Sequence, residues 1–380
     1  MQELSDERVL FAFSRDAEPA LTVKSGETVR IRTQDCFGNQ VQSPDDVLDE
    51  IDWDRINPAT GPVYVEGAVP GGALKVAIEN IELDAQTVSC TGKDEGVCGD
   101  RFDAWSTHLC AVDAEAGALV WSDRLSIPLN PMIGVIGVAP AGESVNCGTP
   151  GSHGGNMDTI AVTTGASLYF PVAVEGALFG CGDMHAAMGD GEVSVSGAEV
   201  AGWATVTLTA LPELHLADPV IENATHLGII ASAESLDAAA DRAVHEMVDL
   251  LHDRTGVAVD ELVMLLSLVA DVRVCQMVDP QKTVRFMVPK YVLDALGFAL
   301  YPRPSTALYS VLRGAPIRRV VPTWRAHPAR RVHPARLVAS SDRLALPASW
   351  KTEQTWCIFG WKSVKNQPKL GERIAKSAVQ

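Results

Sequence analysis

Glycine and proline interrupt the first two-thirds of the sequence at short intervals, and this spacing limits the fold more than any other feature. The segments between these breakers are short and mostly alternate apolar with polar residues, as strands with one buried face do. They lie between residues 8 and 33, between Asn57 and Leu83, and between Ala118 and Val138. Many short strands of this kind indicate β-sandwich or barrel elements and disfavour repeated βαβ units.

Three local predictions concern how these segments are connected. Residues 8–33 are expected to form a β-hairpin or meander about the turn Ser25-Gly26-Glu27. Residues 84–108 have a weak pattern and are expected to form an excursion from the sheets. The glycine-containing run that begins at Gly189 is expected to enter a strand.

The pattern changes after residue 211, where helical periodicity replaces alternation. Apolar residues recur at three- and four-residue spacing from Ser235 to His252, and Gly256 marks the end of this pattern. A second helix is predicted from Asp260 to Ala270, followed by a hairpin about Asp279-Pro280. The sequence therefore predicts a mainly β fold with an α+β C-terminal unit.

Charge divides the chain sharply near residue 298. Residues 1–298 contain 16 Lys and Arg against 45 Asp and Glu, whereas residues 299–380 contain 15 against three. We therefore divide the chain into an N-terminal β domain (1–145), a central β segment that carries the site loops (146–210), an α+β unit (211–298) and an atypical basic tail (299–380). An acidic, lysine-poor body repels nucleic acid and anionic membranes, which argues against both as partners.

The basic tail has no clear periodicity. It contains four of the eight tryptophans, and the near-repeats RAHPAR and RVHPAR each carry a proline that excludes a long helix there. Three interpretations stay open: an appendage that lies on the acidic body, a nucleic-acid-binding tail, or sequence that is read in a shifted frame or acquired by fusion. We favour the third interpretation, which predicts a poorly packed or disordered tail outside the catalytic unit.

Two glycine-spaced polar runs lie in the central segment, GSHGGNMD (Gly151 to Asp158) and GDMHAAMGDGE (Gly182 to Glu192). They flank an apolar segment that predicts one or two strands. Glycine adopts positive φ and lets the backbone approach another group closely, so ionisable side chains between glycines indicate a site on loops at strand ends. Ordinary β-turns also contain Gly-Asp pairs, but the density of ionisable side chains favours a functional site.

The candidate site residues come from these two runs and from one strand end. Asp35 follows the predicted strand TVRIRT, where a carboxylate either caps a turn or is placed in a cleft, and the pattern leaves both interpretations open. The catalytic candidates are His153, Asn156, Asp158 and Glu192, and the metal-ligand candidates are Asp35, Asp183 and His185.

Several common catalytic motifs are missing from the sequence. It has no GxSxG elbow, no GxxxxGK[ST] phosphate loop, no HExxH and no CxxC. Cys181 is interpreted as a small buried residue, because no lysine lies within thirty residues of it in sequence. What remains is a cluster of carboxylates with one or two histidines, which suits a divalent metal such as zinc or calcium, or proton transfer to a polar substrate.

The same runs resemble the acetamidase/formamidase family over residues 8–298, together with NPATGPVYVEGA, PGGALKVAI, VIGVAPA and RVCQMVD. The resemblance implies a mostly β fold with an α+β part and hydrolysis of short aliphatic amides, such as formamide and acetamide, to ammonia and the carboxylic acid. It also implies a homodimer or higher oligomer with metal ions near the acidic loops. Two departures stand out: Met188 replaces the usual glutamine, and nothing after residue 298 resembles the family.

The chemistry of amide hydrolysis suggests a division of roles. A metal held by Asp35, Asp183 and His185 would polarise the carbonyl and activate water. Glu192 or Asp158 would transfer the proton to the leaving amine, and Asn156 would donate a hydrogen bond to the oxyanion. Two alternatives stay open: an inactive family-like scaffold or binding protein, and a hydrolase of a larger amide or carbamate.

The N-terminal residues show no basic region followed by an apolar one, and no apolar run approaches the ~20 residues that span a bilayer. We therefore expect a cytoplasmic protein with a small-molecule amide as its partner. The eight scattered cysteines are expected to be buried small residues.

Overall fold

The computed structural model describes residues 1–301, so the predicted basic tail lies outside the described residues apart from its first three positions. The strands of the N-terminal half are β1 Gln2–Leu4, β2 Val9–Leu10, β3 Ala12–Phe13, β4 Leu21–Lys24, β5 Glu27–Thr33, β6 Ala59–Glu66, β7 Ala73–Leu83, β8 Gln86–Thr91, β9 Ser106–Asp113, β10 Ala118–Ser122, β11 Leu125–Pro128, β12 Met132–Gly137 and β13 Val145–Asn146. The remaining strands are β14 Gly154–Asn156, β15 Ser167–Pro171, β16 Phe179–His185, β17 Glu199–Val200, β18 Gly202–Leu211, β19 Val220–Glu222, β20 His226–Ala233, β21 Asp271–Gln276 and β22 Lys282–Pro289. The helices are α1 Leu236–Thr255, α2 Val259–Val269 and α3 Lys290–Leu296.

Two large sheets pack face to face around one core. One sheet has nine strands in the order β1-β5-β18-β7-β15-β19-β20-β22-β21. The other has 11 strands and is built on the path β11-β10-β9-β8-β17-β16-β12-β14, with β6 paired to β16. Ile31 of β5 and Val206 of β18 share the core with Ile136 of β12 and Phe179 of β16. The predicted mainly β fold with sandwich or barrel elements is therefore confirmed, and the elements form a two-sheet sandwich.

Alternation along the strands of the nine-stranded sheet also builds a second core under the helices. In β20, Ile230 belongs to the core between the sheets, whereas its neighbour Ile229 packs with α1 and α2, because successive side chains point to opposite faces. Ser235 caps α1 by accepting the N–H of Ala238, and Gly256 ends it with a φ of 72°. Both predicted helices and the β21–β22 hairpin are confirmed, whereas α3 was not predicted. Among the described helices, none is long and apolar enough to cross a membrane.

The three predictions about local connections were wrong. The strands β4 and β5 do not form a hairpin, because β4 pairs in parallel with β6 in one sheet while β5 pairs with β1 and β18 in the other. The turn between them carries the chain across the sandwich. Residues 84–108 contain β8 and the start of β9, which pair with each other. The run after Gly189 forms a loop in which Glu192 and Val195 have positive φ values of 47° and 83°, and such backbone cannot continue a strand ladder.

The nine-stranded sheet draws strands from all three segments of the predicted division, 1–145, 146–210 and 211–298. Strands distant in sequence thus share one set of hydrogen bonds and one core. The division into domains stays a prediction.

Candidate active site

The site is centred on β16, whose seven residues are all buried. In its pairing with β12, His185 lies opposite Met132, and in its pairing with β17 it lies opposite Glu199. On the other side of β12, Asn156 of β14 lies opposite Val135. The strand register therefore places residues that are far apart in sequence side by side on one region of the sheet.

Three carboxylates surround the Nε2 atom of His185. Its distances are 3.1 Å to Oε2 of Glu199, 3.5 Å to Oδ1 of Asp183 and 3.8 Å to Oδ1 of Asp158, and none of these side chains is more than 3% exposed. Glu192 adjoins them, since ligand atoms of Asp158, His185 and Glu192 all lie within 4.8 Å of one another. Four of the predicted site residues thus meet in one buried cluster, which also includes Glu199.

Asn156 and Asp279 extend this cluster. The Nδ2 atom of Asn156 donates a hydrogen bond of 3.1 Å to Oδ2 of Asp279, which lies in the turn between β21 and β22. Burial, with repulsion from Asp158, raises the pKa of Asp279 well above its usual range. The Asn156 donor that was predicted to bind an oxyanion is therefore engaged with Asp279, while Asn156 Oδ1 has no partner.

Asp35 caps a turn beside the cluster, which is the first of its two interpretations. Its Oδ1 atom accepts the backbone N–H groups of Phe37 and Asn39 at 3.0 and 2.7 Å. Burial raises the pKa of Asp35 to about 6, and the negative charge of Asp183 adds to the shift. The turn leads directly into Cys36, which lies against the cluster.

His153 packs against a different neighbour. Its ring meets Phe13 edge-on, with ring centroids 5.4 Å apart. Burial lowers the pKa of His153 to about 4, so the ring is neutral at pH 7. Within the described part of the chain, no hydrogen bond or ion pair connects His153 to the carboxylates. Its catalytic role stays a prediction.

The backbone holds three of the acids in a conformation that is uncommon for residues other than glycine. Asp158, Asp183 and Glu192 have φ values of 39°, 52° and 47°. Such conformations cost about 1–3 kcal/mol each and are concentrated at functional sites, where the surrounding structure maintains them. The strain at these three positions therefore indicates that side-chain placement outweighs regular backbone geometry here.

The electrostatics of the cluster are unbalanced, because four buried carboxyl groups, those of Asp158, Asp183, Glu192 and Glu199, face the imidazole of His185. Burial raises the pKa of Asp158 to about 7 and that of Glu199 to about 8, and repulsion from Asp183 adds to both shifts. Burial likewise raises the pKa of Glu192. Burial also favours the neutral form of Asp183. The charge of His185 and its contact with Asp183 together outweigh this effect and lower the pKa of Asp183.

Several of these buried atoms have no hydrogen-bond partner among the described residues, which is the property expected of metal ligands. Four carboxylate oxygens have no hydrogen-bond partner: both of Asp158, Oδ1 of Asp183 and Oε2 of Glu199. Glu199 Oε2 lies close to His185 Nε2, but the two groups do not have the geometry of a hydrogen bond. An unpaired buried charge costs several kcal/mol unless a cation compensates it. Ligand atoms in a tetrahedral zinc site lie roughly 3.3–3.6 Å apart, so the 3.1–3.8 Å distances around His185 fit a divalent cation. Cys36, Asp183 and Glu199 form a second group within 4.8 Å.

Arg285 of β22 connects the loops that carry the cluster. This side chain is 2% exposed, and its Nη2 atom donates to Oδ2 of Asp190 at 2.6 Å while Nη1 donates to Oγ1 of Thr159 at 3.3 Å. Asp190 lies two residues before Glu192, and Thr159 follows Asp158. The arginine therefore positions both loops against the same strand.

A cavity of about 310 Å³ opens onto the cluster. Its polar lining includes Asn156, Asp183, Glu192, Glu199 and Asp279. Apolar side chains also line it, among them Phe37, Trp53, Ile56, Trp105 and Val278. The carboxylate cluster is thus accessible to a small molecule through a cavity with partly apolar walls.

Sequence reasoning did not identify Glu199 or Asp279 as site residues. Glu199 lies between Ala198 and Val200, and a carboxylate in such an apolar stretch was a usable signal, because acids are rarely fully buried without a partner. Asp279 was assigned only to a turn, and the fold alone brings that turn to Asn156. Cys181 is fully buried and burial raises its pKa to about 12, as expected for a small core residue.

Fold and site define a two-sheet β protein with a buried carboxylate–imidazole centre. The sequence profile of the Acetamidase/Formamidase family matches residues 3–147 and 141–295. The chain belongs to this family, as the resemblance of its motifs predicted.

Solved structures and a curated relative agree with this assignment. A predicted acetamidase/formamidase from Thermoanaerobacter tengcongensis is 47% identical, with a TM-score of 0.77 over 78% of this chain and 98% of that one. An acetamidase from Bacillus halodurans is 42% identical, with a TM-score of 0.76 over 78% and 100%. The acetamidase of Mycolicibacterium smegmatis is 28% identical over 247 residues, which are 48% of this chain and 61% of that protein. The chain spans about 60% of the length of the curated relatives it matches.

Proposed function

We propose that this protein is an amidase that hydrolyses short linear amides, such as formamide and acetamide, to ammonia and the carboxylic acid. The observation that carries the proposal is the set of unpartnered carboxylate oxygens around His185 Nε2, two of whose carboxylates, Asp183 and Glu199, line an open cavity. The relatives named acetamidase and formamidase support the choice of substrate.

The proposed cation site consists of His185 with Asp158, Asp183 and Glu199. A divalent cation bound there would supply Lewis-acid polarisation of the amide carbonyl and a more acidic water. The imidazole among the ligands favours zinc over calcium, which prefers oxygen ligands. We propose a positioning role for Asp35, whose turn directs Cys36 towards the cluster.

Glu192 is the proposed proton-transfer residue. It lines the cavity, and its raised pKa suits a carboxyl that accepts a proton from water and returns it to the leaving amine. Asn156 is proposed to orient the substrate: since its Nδ2 donates to Asp279, its free Oδ1 is available to accept an N–H of the substrate amide.

The test is release of ammonia from formamide, acetamide, propionamide and urea by the full chain, with metal content measured on the same sample. We expect turnover of short amides that chelation abolishes and added zinc restores. If the folded, zinc-supplied protein hydrolyses none of these amides and none of the larger amides tested below, the inactive-scaffold alternative is correct. Met188 does not line the cavity that opens onto the cluster, but it lines a second cavity together with Glu192.

Gly134 of β12 gives a test of the cluster geometry. A Cβ at this position would lie 2.7 Å from Oδ2 of Asp183 and closer still to Oδ1 of Asp158, well inside van der Waals contact. We expect Gly134→Ala to spread these carboxylates, to lower zinc content and to reduce amidase kcat/KM about tenfold or more, as loss of ligand positioning does. The matched control is Gly142→Ala, whose Cβ meets no atom within 4 Å. Normal zinc content in Gly134→Ala would contradict the proposed ligand set.

We further propose a homodimer that forms through α2 and the edge strand β21. Met264 and Leu268 of α2 are 63% and 82% exposed, and Val272 on the adjoining strand is 51% exposed. Large exposed apolar patches mark interfaces, and an edge strand is free to pair with a second copy. We expect Leu268→Glu to shift the protein from dimer to monomer in light scattering, whereas Val97→Glu, at a similarly apolar loop position, leaves the mass unchanged. A monomeric wild type would exclude this interface.

We also propose a cytoplasmic location. The seven cysteines in the described part of the chain are all free, and only Cys98 is exposed. Free thiols are typical of proteins in a reducing compartment.

A further inference from the structure

Two stacked tryptophans form part of the apolar wall of the cavity. The rings of Trp53 and Trp105 have centroids 5.1 Å apart and an interplanar angle of 28°. Trp53 is anchored by its Nε1, which donates to the carbonyl of Leu48 at 3.0 Å. Trp105 rests on Gly92, where an added Cβ would lie 2.5 Å from the ring. Both rings are therefore held in fixed positions by neighbouring backbone.

The cavity is much larger than the amides named above require. Its volume of about 310 Å³ equals roughly ten water volumes of about 30 Å³ each, of which acetamide would fill about three. Binding acetamide at the carboxylate cluster would leave the space beside Phe37, Trp53 and Trp105 to water. Apolar walls with little hydrogen-bonding capacity favour replacement of that water by an apolar group.

The charge of the cavity limits what this group is. Its acidic lining residues are Glu95, Asp183, Glu192, Glu199 and Asp279, and no lysine or arginine lines it among the residues that the structure describes. An acyl group that carries a carboxylate would therefore find no basic side chain to pair with in the cavity. The cavity suits an uncharged acyl group.

We propose that the cavity wall formed by Trp53 and Trp105 is an acyl subsite for a flat aromatic ring and that aromatic primary amides are substrates. The inference rests on the proposed amidase function and specifies its substrate class. Aromatic rings pack on tryptophan with about 0.5–1.5 kcal/mol beyond the burial of their area, which favours a ring over an alkyl chain. In the reaction, the oxygen of water bonds to the carbonyl carbon, the C–N bond breaks, and the nitrogen leaves as ammonia after it receives a proton.

Benzamide is the probe, since its ring would fill about two more water volumes than acetamide does. We expect wild type to hydrolyse benzamide with a higher kcat/KM than acetamide. Trp105→Ala should lower kcat/KM for benzamide about tenfold, the scale of one aromatic contact with its buried area, and change that for acetamide less than threefold. Trp53→Ala, at a 40% exposed position, is a second variant with little risk to folding. The matched control is Trp121→Ala, a 37% exposed tryptophan on β10 that does not line this cavity.

Binding is measured separately from turnover, by competition of benzamide against acetamide hydrolysis and by tryptophan fluorescence. If wild type hydrolyses acetamide but benzamide neither reacts nor competes, the subsite is refuted while the amidase function stands. If no amide is hydrolysed but benzamide quenches fluorescence more weakly in Trp53→Ala and Trp105→Ala than in Trp121→Ala, the subsite stands and the amidase function fails. Equal benzamide affinity in all three variants refutes the subsite.

Discussion

Replacing His185 with alanine is expected to remove the bound divalent metal and to reduce kcat/KM for acetamide about a thousandfold. Among residues 1–301, His185 supplies the one imidazole nitrogen that lies 3.1–3.8 Å from the carboxylates of Asp158, Asp183 and Glu199. Loss of Lewis-acid stabilisation costs several kcal/mol, and each 1.4 kcal/mol corresponds to about tenfold in rate. Metal analysis and steady-state kinetics on the same preparations measure both effects.

The companion substitution Glu192→Gln separates proton transfer from metal binding. This change keeps the size of the side chain, so we expect metal content close to wild type but kcat lower by about 10²–10⁴, as for loss of a general acid or base. The control is His245→Ala on α1, where the Nδ1 atom forms a hydrogen bond with the carbonyl of Asp241 in the same helix. Full turnover in folded His185→Ala and Glu192→Gln would show that the proposed roles are wrong.

The stability of the metal-free protein is expected to fall as the pH rises from about 4.5 to 8. The pKa of Asp158 rises from 3.8 to about 7 on folding and that of Glu199 rises from 4.5 to about 8, in both cases chiefly because of burial. The folded state binds these two protons more tightly than the unfolded state does. Each group therefore contributes fully to the free energy of unfolding at pH values below its unfolded pKa, and this contribution is lost as the pH rises through its folded pKa. The pKa of Asp183 is lowered on folding, so its effect on stability has the opposite pH dependence. That effect is constant at pH values above the unfolded pKa of 3.8.

Zinc should therefore raise the melting temperature more at pH 8 than at pH 5. At pH 8 the carboxylates are ionised and the cation offsets their repulsion, whereas at pH 5 protons compete for the same oxygens. Melting curves with chelator and with zinc at both pH values measure this difference. Asp158→Asn should melt higher than wild type when metal-free at pH 8, and lower when zinc is present. A metal-free melting temperature that rises between pH 5 and 8 would falsify the electrostatic account.

The features that sequence analysis identified correctly depend on local periodicity or on rare local composition. The helix α1 is determined by apolar spacing, a serine cap and the glycine at 256, all within about twenty residues. Asp158, Asp183, His185 and Glu192 were found because two glycine-spaced runs concentrate ionisable side chains. Three of them, Asp158, Asp183 and Glu192, have positive φ, and Asp183 and Glu192 each directly follow a glycine.

The tertiary structure alone decided which distant segments lie together. Alternation shows that β4 and β5 are strands but not that they belong to different sheets, because pairing partners are selected by burial of both faces across the whole sandwich. For the same reason, the register of β16 with β17 places Glu199 beside His185, and the β21–β22 turn brings Asp279 to Asn156. Sequence by itself therefore determined the family, the strand-rich class and four of the five residues of the buried cluster around His185. The remaining carboxylates and the walls of the cavity depend on contacts between residues that are up to 123 positions apart, for which no local pattern exists.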